Sequence, residues 1–452
     1  MKAELYNYDI YPKVFIGDNE KKITIQPLGT QSRFKADKVY TVKIFKVAEA
    51  NPSKYPERSG RSYLEVIPNE EGNLSFSAYF EGEGEHFINV YDDPNARHFL
   101  TLSVYSLGKD MKGRIPQRGD LHMHTCRSDG KQGPTTVAAN YRAHGYDFTV
   151  ISDHGRYYPS LEAQRFFDGV TDMCIVHGEE VHLPLNDVHY VNFGNSFSIN
   201  ALVTPSRNEE KAGDDVNWRS VNGKAPATMT KEEFEEMIRE RAKKVDRKNE
   251  SERLSFAVLE WTYEQIKAGG GLGIFPHPYW LCQMMQIPEE YTRFIYKKAP
   301  FDAFEVLGGE NYYQHNGFQT GLYYEMKAKG IDHPVVGSTD SHGSTEHNRN
   351  ALICSTIVFA KKNTPKELIS AIKKKYSIAV DTISQEYRLV GDFRLMKYAS
   401  FLMENYFPIH DLACKAEGYY MNLYIKGDKR AEKILKAMKG QIPEMQKKYF
   451  EL

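Results

Sequence analysis

Imidazole and carboxylate side chains recur in five short segments of this chain: DLHMHTCRSDG (residues 120–130), ISDHG (151–155), GEEVHLPLNDVHYV (178–191), FPHP (275–278) and STDSHG (338–343). Nitrogen and oxygen donors without thiolate are what a catalytic Zn, Mn or Fe site uses, and not what closes a structural zinc clip. His122 and His124 stand two apart. On a strand, positions i and i+2 leave the same face, so both rings can reach one ion. Past the turn that follows, Asp129 could bind a neighbouring ion. ISDHG supplies His154 as a ligand, with Asp153 beside it in an orienting role. In GEEVH the glutamates Glu179 and Glu180 compete for the site, and His182 and His189 compete likewise. A carboxylate there could bridge two ions. His277 sits between two prolines that fix the backbone, and STDSHG repeats the two-residue spacing with Asp340 and His342. Taken singly, each histidine could be a core or surface residue satisfied by hydrogen bonds. Five such clusters at the ends of expected strands favour a multinuclear metal centre.

Those strands belong to a chain with two rhythms. Residues 1–112 carry short β-branched and aromatic runs (38–47, 62–68, 74–81, 85–92 and 99–107) broken by Gly, Asn, Asp and Pro. Several alternate apolar with polar residues, which predicts an all-β, immunoglobulin-like sandwich. The polar stretch 108–119 is the linker. From 113 to 390, apolar runs at 119–125, 147–152, 173–178, 188–194, 272–276, 303–307 and 334–338 alternate with helical segments. This spacing predicts a parallel α/β architecture with about seven strands, consistent with a barrel whose active site lies at the C-terminal ends of its strands. A charged excursion at 205–253 interrupts it, with Thr230 and Glu233 placed for a capping box. Entering between the strands of His189 and His277, it is expected to cover the mouth of the site, with Arg207 and Trp218 in reach. Residues 391–452 read as a helical extension that packs on the barrel or on a second copy in a homo-oligomer.

Composition narrows the partners. Over 452 residues the formal net charge is −1, which gives no electrostatic case for nucleic acid or an anionic membrane. The cysteines Cys126, Cys174, Cys282, Cys354 and Cys414 are scattered and form no CxxC pair, which argues against a disulfide scaffold or zinc ribbon. Cys126 lies among hard donors and is read as a bystander. The N-terminal MKAELYNYDIYP has no apolar signal-peptide core, and the expected location is cytoplasmic.

The combined motifs resemble the PHP family, named for polymerases and histidinol phosphatase. The resemblance covers about 113–384 and rests on the HxH of His122 and His124 followed by SDG, DH at His154, GxE at Glu180 with a later histidine, PHP at His277, and DxH at Asp340 and His342. It implies a distorted seven-stranded (β/α) barrel and three divalent transition metals (Mn, Fe or Zn). His122, His124, Glu180 and Asp340 would hold the first, and Asp129, His154 and His342 the second. Glu180 would bridge to a third held by His189 and His277. The activity implied is that of a metal-dependent phosphoesterase acting on a small phosphorylated substrate, with a monoester preferred. Metal coordination lowers the pKa of water, so hydroxide at the centre is the expected nucleophile. Arg127, Arg156 and Asp153 are the candidates for supporting the chemistry, since guanidinium matches phosphoryl oxygens bidentately. Arg349 and His347 follow the last motif, and the aromatic residues Tyr157, Tyr158, Tyr279, Trp280, Tyr312 and Tyr313 could wall the site. The rival readings are a phosphodiesterase or nucleotidase of the same fold, an amidohydrolase-type enzyme, and a non-catalytic binding protein.

Overall fold

The computed structural model describes residues 2–48, 61–93, 95, 97–209, 218–281, 285–308, 313–345, 353–382 and 388–452. The chain divides into two compact units. One is Met1–Ile115 with Phe393–Ala413 and Gly440–Leu452; the other is Pro116–Asp392 with Cys414–Lys439. The expected boundary after residue 112 lies close to this division. The tail 391–452, expected as a single extension, is instead shared between the units.

In the N-terminal unit the alternating pattern does what it predicts. Gly84–Tyr91 buries every second residue, and Ile88, Val90, Leu102 and Val104 meet Ile23, Ile25 and Leu74 in one core. Two sheets supply these faces. One has three strands, with Asn19–Pro27 antiparallel to both Tyr8–Tyr11 and Leu74–Phe80. The other has six, with Leu100–Leu107, Gly84–Tyr91, Tyr40–Lys46 and Arg61–Val66 in antiparallel succession. At its edge, Val14–Ile16 pairs in parallel with Leu100–Leu107 and with the C-terminal strand Phe450–Glu451. The helix Phe393–Asn405 packs Tyr398 and Phe401 against Tyr105, with ring centroids 5.1 and 5.3 Å apart.

The second unit is mixed α/β, but its ladders do not form one ring of seven parallel strands. Six strands run in the order Cys174–Val176, Phe148–Val150, Ile115–Asp120, Cys354–Ala360, Ser377–Asp381 and Arg388–Val390. Five more run in the order Gly178–Val181, Tyr190–Phe193, Leu272–Phe275, Ala303–Leu307 and Val335–Gly337. Parallel pairing is interrupted where Gly178–Val181 meets Tyr190–Phe193 and where Cys354–Ala360 meets Ser377–Asp381, both antiparallel. Two isolated parallel bridges stitch the sheets together, Met123 to Ser341 and His154 to Glu180. Both fall within the candidate metal motifs. The fold therefore joins its two sheets where the chemistry is expected.

The described part of the excursion packs its helix into the core. Val203–Thr204 pairs with Met229–Thr230, and Thr230 caps the helix Lys231–Ala242 through the anticipated box with Glu233. Phe234 and Ile238, one helical turn apart, are fully buried; Phe234 meets Trp261 edge-on at 5.1 Å. The next helix, Glu250–Ala268, is capped by Asn249, which accepts from Ser251 N and Glu252 N. Among the described residues no helix is long and apolar enough to cross a membrane.

Candidate metal centre

Each candidate ligand is delivered by the end of a strand or the loop after it. The strand Ile115–Asp120 stops before the HxH motif, so His122 and His124 lie just past it and not on it as expected. The motif stays extended because Met123 bridges Ser341, with His124 N donating to Ser341 O and Asp340 N to His122 O, each at 2.8 Å. Met123 points into an apolar core, which leaves the two imidazoles on the other face. Alternation along Gly178–Val181 also separates the competing glutamates. Glu179 accepts from Asn192, Ser198, Ile199 and Asn200 on one side of the strand. Glu180 faces the histidines. His277 and Asp340 adopt left-handed backbone, with φ of 24° and 47°, a conformation that costs a non-glycine residue roughly 1–3 kcal/mol and that clusters at functional sites.

Glu180 is the hub. Its carboxylate lies 2.6 Å from His154 Nδ1, 2.8 Å from His189 Nδ1, 3.5 Å from His277 Nε2, 3.5 Å from both His122 Nε2 and His124 Nε2, and 3.7 Å from His182 Nε2. Asp340 Oδ1 is 3.3 Å from His122 Nε2 and 2.9 Å from His124 Nε2, and these two nitrogens are 3.3 Å apart. Donors placed about 2.0–2.2 Å from a tetrahedral ion sit roughly 3.3–3.6 Å from one another. Asp129 Oδ2 lies 3.4 Å from Nε2 of both His154 and His342.

These approaches do not satisfy the atoms that make them. Both Glu180 oxygens, His189 Nδ1, both ring nitrogens of His277 and His124 Nδ1 are buried without a hydrogen-bond partner. Buried polar atoms are seldom left so. A cluster of unpaired lone pairs at ligand spacing fits divalent cations.

Without metal, protons take up part of the charge. Burial opposes protonation of His154, yet Glu180 and Asp129 hold it up at about 10. His122 is likewise raised against burial by Asp340, Glu180 and Glu305. His124, by contrast, is pushed down to about 3 by burial and by the charge on His154. Despite its burial, Glu180 is held well below the carboxylate range by His189, His154 and His122. Metal ions and protons compete for the same nitrogens, so metal affinity rises with pH.

Outer partners fix the rings. Asp120 accepts from His122 N, Thr339 N and Thr339 Oγ1, tying the HxH loop to the residue before Asp340; burial pushes its carboxyl up to about 7. His122 Nδ1 donates to Glu305 Oε2 at 3.1 Å, which turns Nε2 toward the cluster. Glu305 Oε1 also accepts from His277 N at 3.3 Å. Sequence reasoning missed both carboxylates as participants. Glu305 had a signal: a lone charge between Phe304 and Val306 in a strand buried throughout. We expect Glu305→Gln to lower metal affinity about 10–100-fold while the fold survives, because an amide has one acceptor oxygen where the carboxylate uses two, so either His122 Nδ1 or His277 N would face an NH2 donor. Competition with a chelating dye measures this, and unchanged affinity would remove Glu305 from the site.

The supporting candidates take other roles. Asp153 is buried and accepts from N and Oγ of both Thr125 and Ser128. It clamps the turn that carries Asp129. Arg127 makes a two-point ion pair with Glu162 at 2.8 and 3.0 Å, the structural alternative to phosphate binding. Arg156 follows Gly155, and its N donates to Asp153 O at 3.1 Å. Of the aromatic candidates, Tyr157, Tyr158 and Tyr279 are buried in packing, whereas Trp280 stands 6.1 Å from His189 and 6.0 Å from His277. Tyr312, His347, Arg349 and the side chain of Tyr313 lie outside the described residues.

No family model matches this sequence, and no curated protein matches it. Solved structures do. One is a two-domain protein from Bacteroides vulgatus containing a predicted PHP-like metal-dependent phosphoesterase, at 16% identity and TM-score 0.38 over 59% of this chain and 65% of that one. Another, from Bifidobacterium adolescentis, is described as a metal-dependent phosphoesterase, at 17% identity and TM-score 0.32 over 51% and 89% of the two chains. A third is an amidohydrolase from Chromobacterium violaceum, at 15% identity and TM-score 0.31 over 51% and 89%. The match spans just under two thirds of the Bacteroides protein. At this level of similarity the activity has to be argued from the site itself.

Proposed function

We propose that this protein is a metal-dependent phosphoesterase that hydrolyses a small phosphorylated metabolite, a monoester in preference to a diester, at a trinuclear centre. His122, His124, Glu180 and Asp340 would hold one ion, Asp129, His154 and His342 a second, and His189 and His277 a third that shares Glu180. The observation that carries the reading is Glu180, a fully buried carboxylate whose two oxygens lack hydrogen-bond partners while histidines converge on it. Bound divalent ions would lower the pKa of water and offset the charge of the phosphoryl oxygens. The protein's own residues do the positioning. Asp120 and Glu305 set the His122 ring, Asp153 shapes the loop of Asp129, and Trp280 offers an apolar wall beside His189 and His277. A panel of phosphomonoesters, phosphodiesters and amides, assayed with Mn, Fe and Zn, tests the assignment. Turnover of monoesters is expected; cleavage of amides alone would overturn it.

A further inference from the structure

Beside the metal centre lies a cavity of about 410 Å³ lined by Gly155, His182, Pro184, Asn200, Arg207 and Lys231, among others. His182 connects it to the centre, since its Nε2 is 2.7 Å from His154 Nδ1 and 3.7 Å from Glu180 Oε2. Two cations, Arg207 and Lys231, line it, and no carboxylate is among the described lining residues. Arg207 has no ion pair among the described residues. Lys231 has only a long contact, 3.8 Å to Glu235 Oε1, and Glu235 is already paired with Arg239 at 3.2 Å.

The backbone that carries each cation is held in place by its neighbours. Asn208, adjacent to Arg207 and fully buried, donates to Gly155 O and accepts from Tyr157 N. This fastens the Arg207 turn to the loop that carries His154. The Arg207 stem also fills the space beside Gly155, where a Cβ would come within 3.2 Å of Arg207 Cδ. Lys231 opens a helix whose start is fixed by the Thr230 box and by the pairing of Val203–Thr204 with Met229–Thr230. The amides of the wall are already used: Asn200 accepts from His182 N and donates to Glu179. The charge that the described lining leaves without a close partner is therefore cationic.

We propose that this cavity is a subsite for a second anionic group, so that the preferred substrate is a phosphoester carrying a further phosphate or carboxylate. This deepens the phosphoesterase reading and rests on it. The metal centre would engage the ester being cleaved, while Arg207 and Lys231 hold the distal anion through charge-assisted hydrogen bonds. Selectivity arises because a substrate without that anion leaves both cations unpaired.

The test uses the full metal-loaded chain and 1,n-alkanediol monophosphates, the matching bisphosphates and the matching ω-phosphooxy carboxylates, with three to six carbons. For the best-fitting length, kcat/KM for the doubly anionic ester should exceed that for the monophosphate at least tenfold. The two anion types tell a phosphate subsite from a carboxylate subsite. In R207Q/K231Q this ratio should fall below threefold. Both side chains are exposed, and circular dichroism checks that the variant folds. Calorimetric binding of the matching alkane bisphosphonates, which are not hydrolysed, should weaken at least tenfold in the same variant. A wild-type ratio near one, a ratio that survives the double substitution, or bisphosphonate binding untouched by it would each overturn the subsite. If no phosphoester is turned over but bisphosphonate binding still depends on Arg207 and Lys231, the subsite stands and the phosphoesterase reading fails.

Discussion

Glu180→Gln is expected to abolish phosphoester hydrolysis and to strip metal from the protein. The carboxylate is fully buried and lies 2.6–3.7 Å from ring nitrogens of His122, His124, His154, His182, His189 and His277. An amide keeps the shape but loses the charge, and it puts an NH2 donor where two oxygens now face the cluster. Removing a residue that only orients a ligand costs about 10–100-fold in affinity or activity. Removing the group proposed to be shared between ions should cost more, so a loss of kcat/KM beyond about 100-fold is expected. Elemental analysis of the same variant should show reduced metal content, and circular dichroism an intact fold. Wild-type turnover in Glu180→Gln would place the chemistry elsewhere.

The largest expected loss of stability comes from a buried pair outside the metal centre. Arg142, in the helix Pro134–Ala143, is fully buried and donates from Nε and Nη2 to Glu417 Oε2 at 2.8 and 2.7 Å. It also donates from Nη1 to Tyr146 O at 3.0 Å. The other Glu417 oxygen accepts from Thr171 Oγ1. Gly418, the next residue, allows this close approach, since a Cβ there would come within 2.3 Å of Ala143 N. Glu417→Ala removes the closer of two buried counter-ions and leaves the guanidinium only Asp147 Oδ1, 3.4 Å from Nη1; breaking a buried pair in this way costs about 3–5 kcal/mol. Urea unfolding of the full chain should report a drop of that order. Replacing both partners together, as R142M/E417L, should recover part of it, because an apolar pair of similar volume carries no desolvation penalty while Asp147 keeps its hydrogen bond from Arg118 N. A drop below about 1 kcal/mol for Glu417→Ala would mean that solvent reaches the pair.

How much of this was legible in the sequence follows from what periodicity encodes. The two-residue spacing of His122 and His124 put them on one face, and the bridge at Met123 keeps that face extended even though the regular strand ends at Asp120. The same alternation distinguishes Glu180 from Glu179, but only once the strand Gly178–Val181 is known; it is four residues long, too short to register reliably from its own pattern. His182 and His189 were alternatives in the sequence, and the structure brings both to Glu180. Pattern reports that a strand exists and not the direction of its neighbour, so the antiparallel pairing of Gly178–Val181 was not legible. Glu305 and Asp120 were missed because their work is done through hydrogen bonds between segments 183 and 219 residues apart. No local spacing records such contacts. The terminal strand Phe450–Glu451 is two residues long and exists only through its pairing with Val14–Ile16.

The central claim is that Glu180 and the histidines around it hold catalytic metal. The most direct measurement is metal content by mass spectrometry on gently purified protein, paired with phosphomonoester hydrolysis before and after chelation. We expect about three equivalents of Mn, Fe or Zn per chain, in keeping with donors placed for direct ligation, together with hydrolysis that chelation removes and added metal restores. Protein that binds no transition metal when supplied with it, or hydrolysis that persists in full after every ion is removed, would contradict the account.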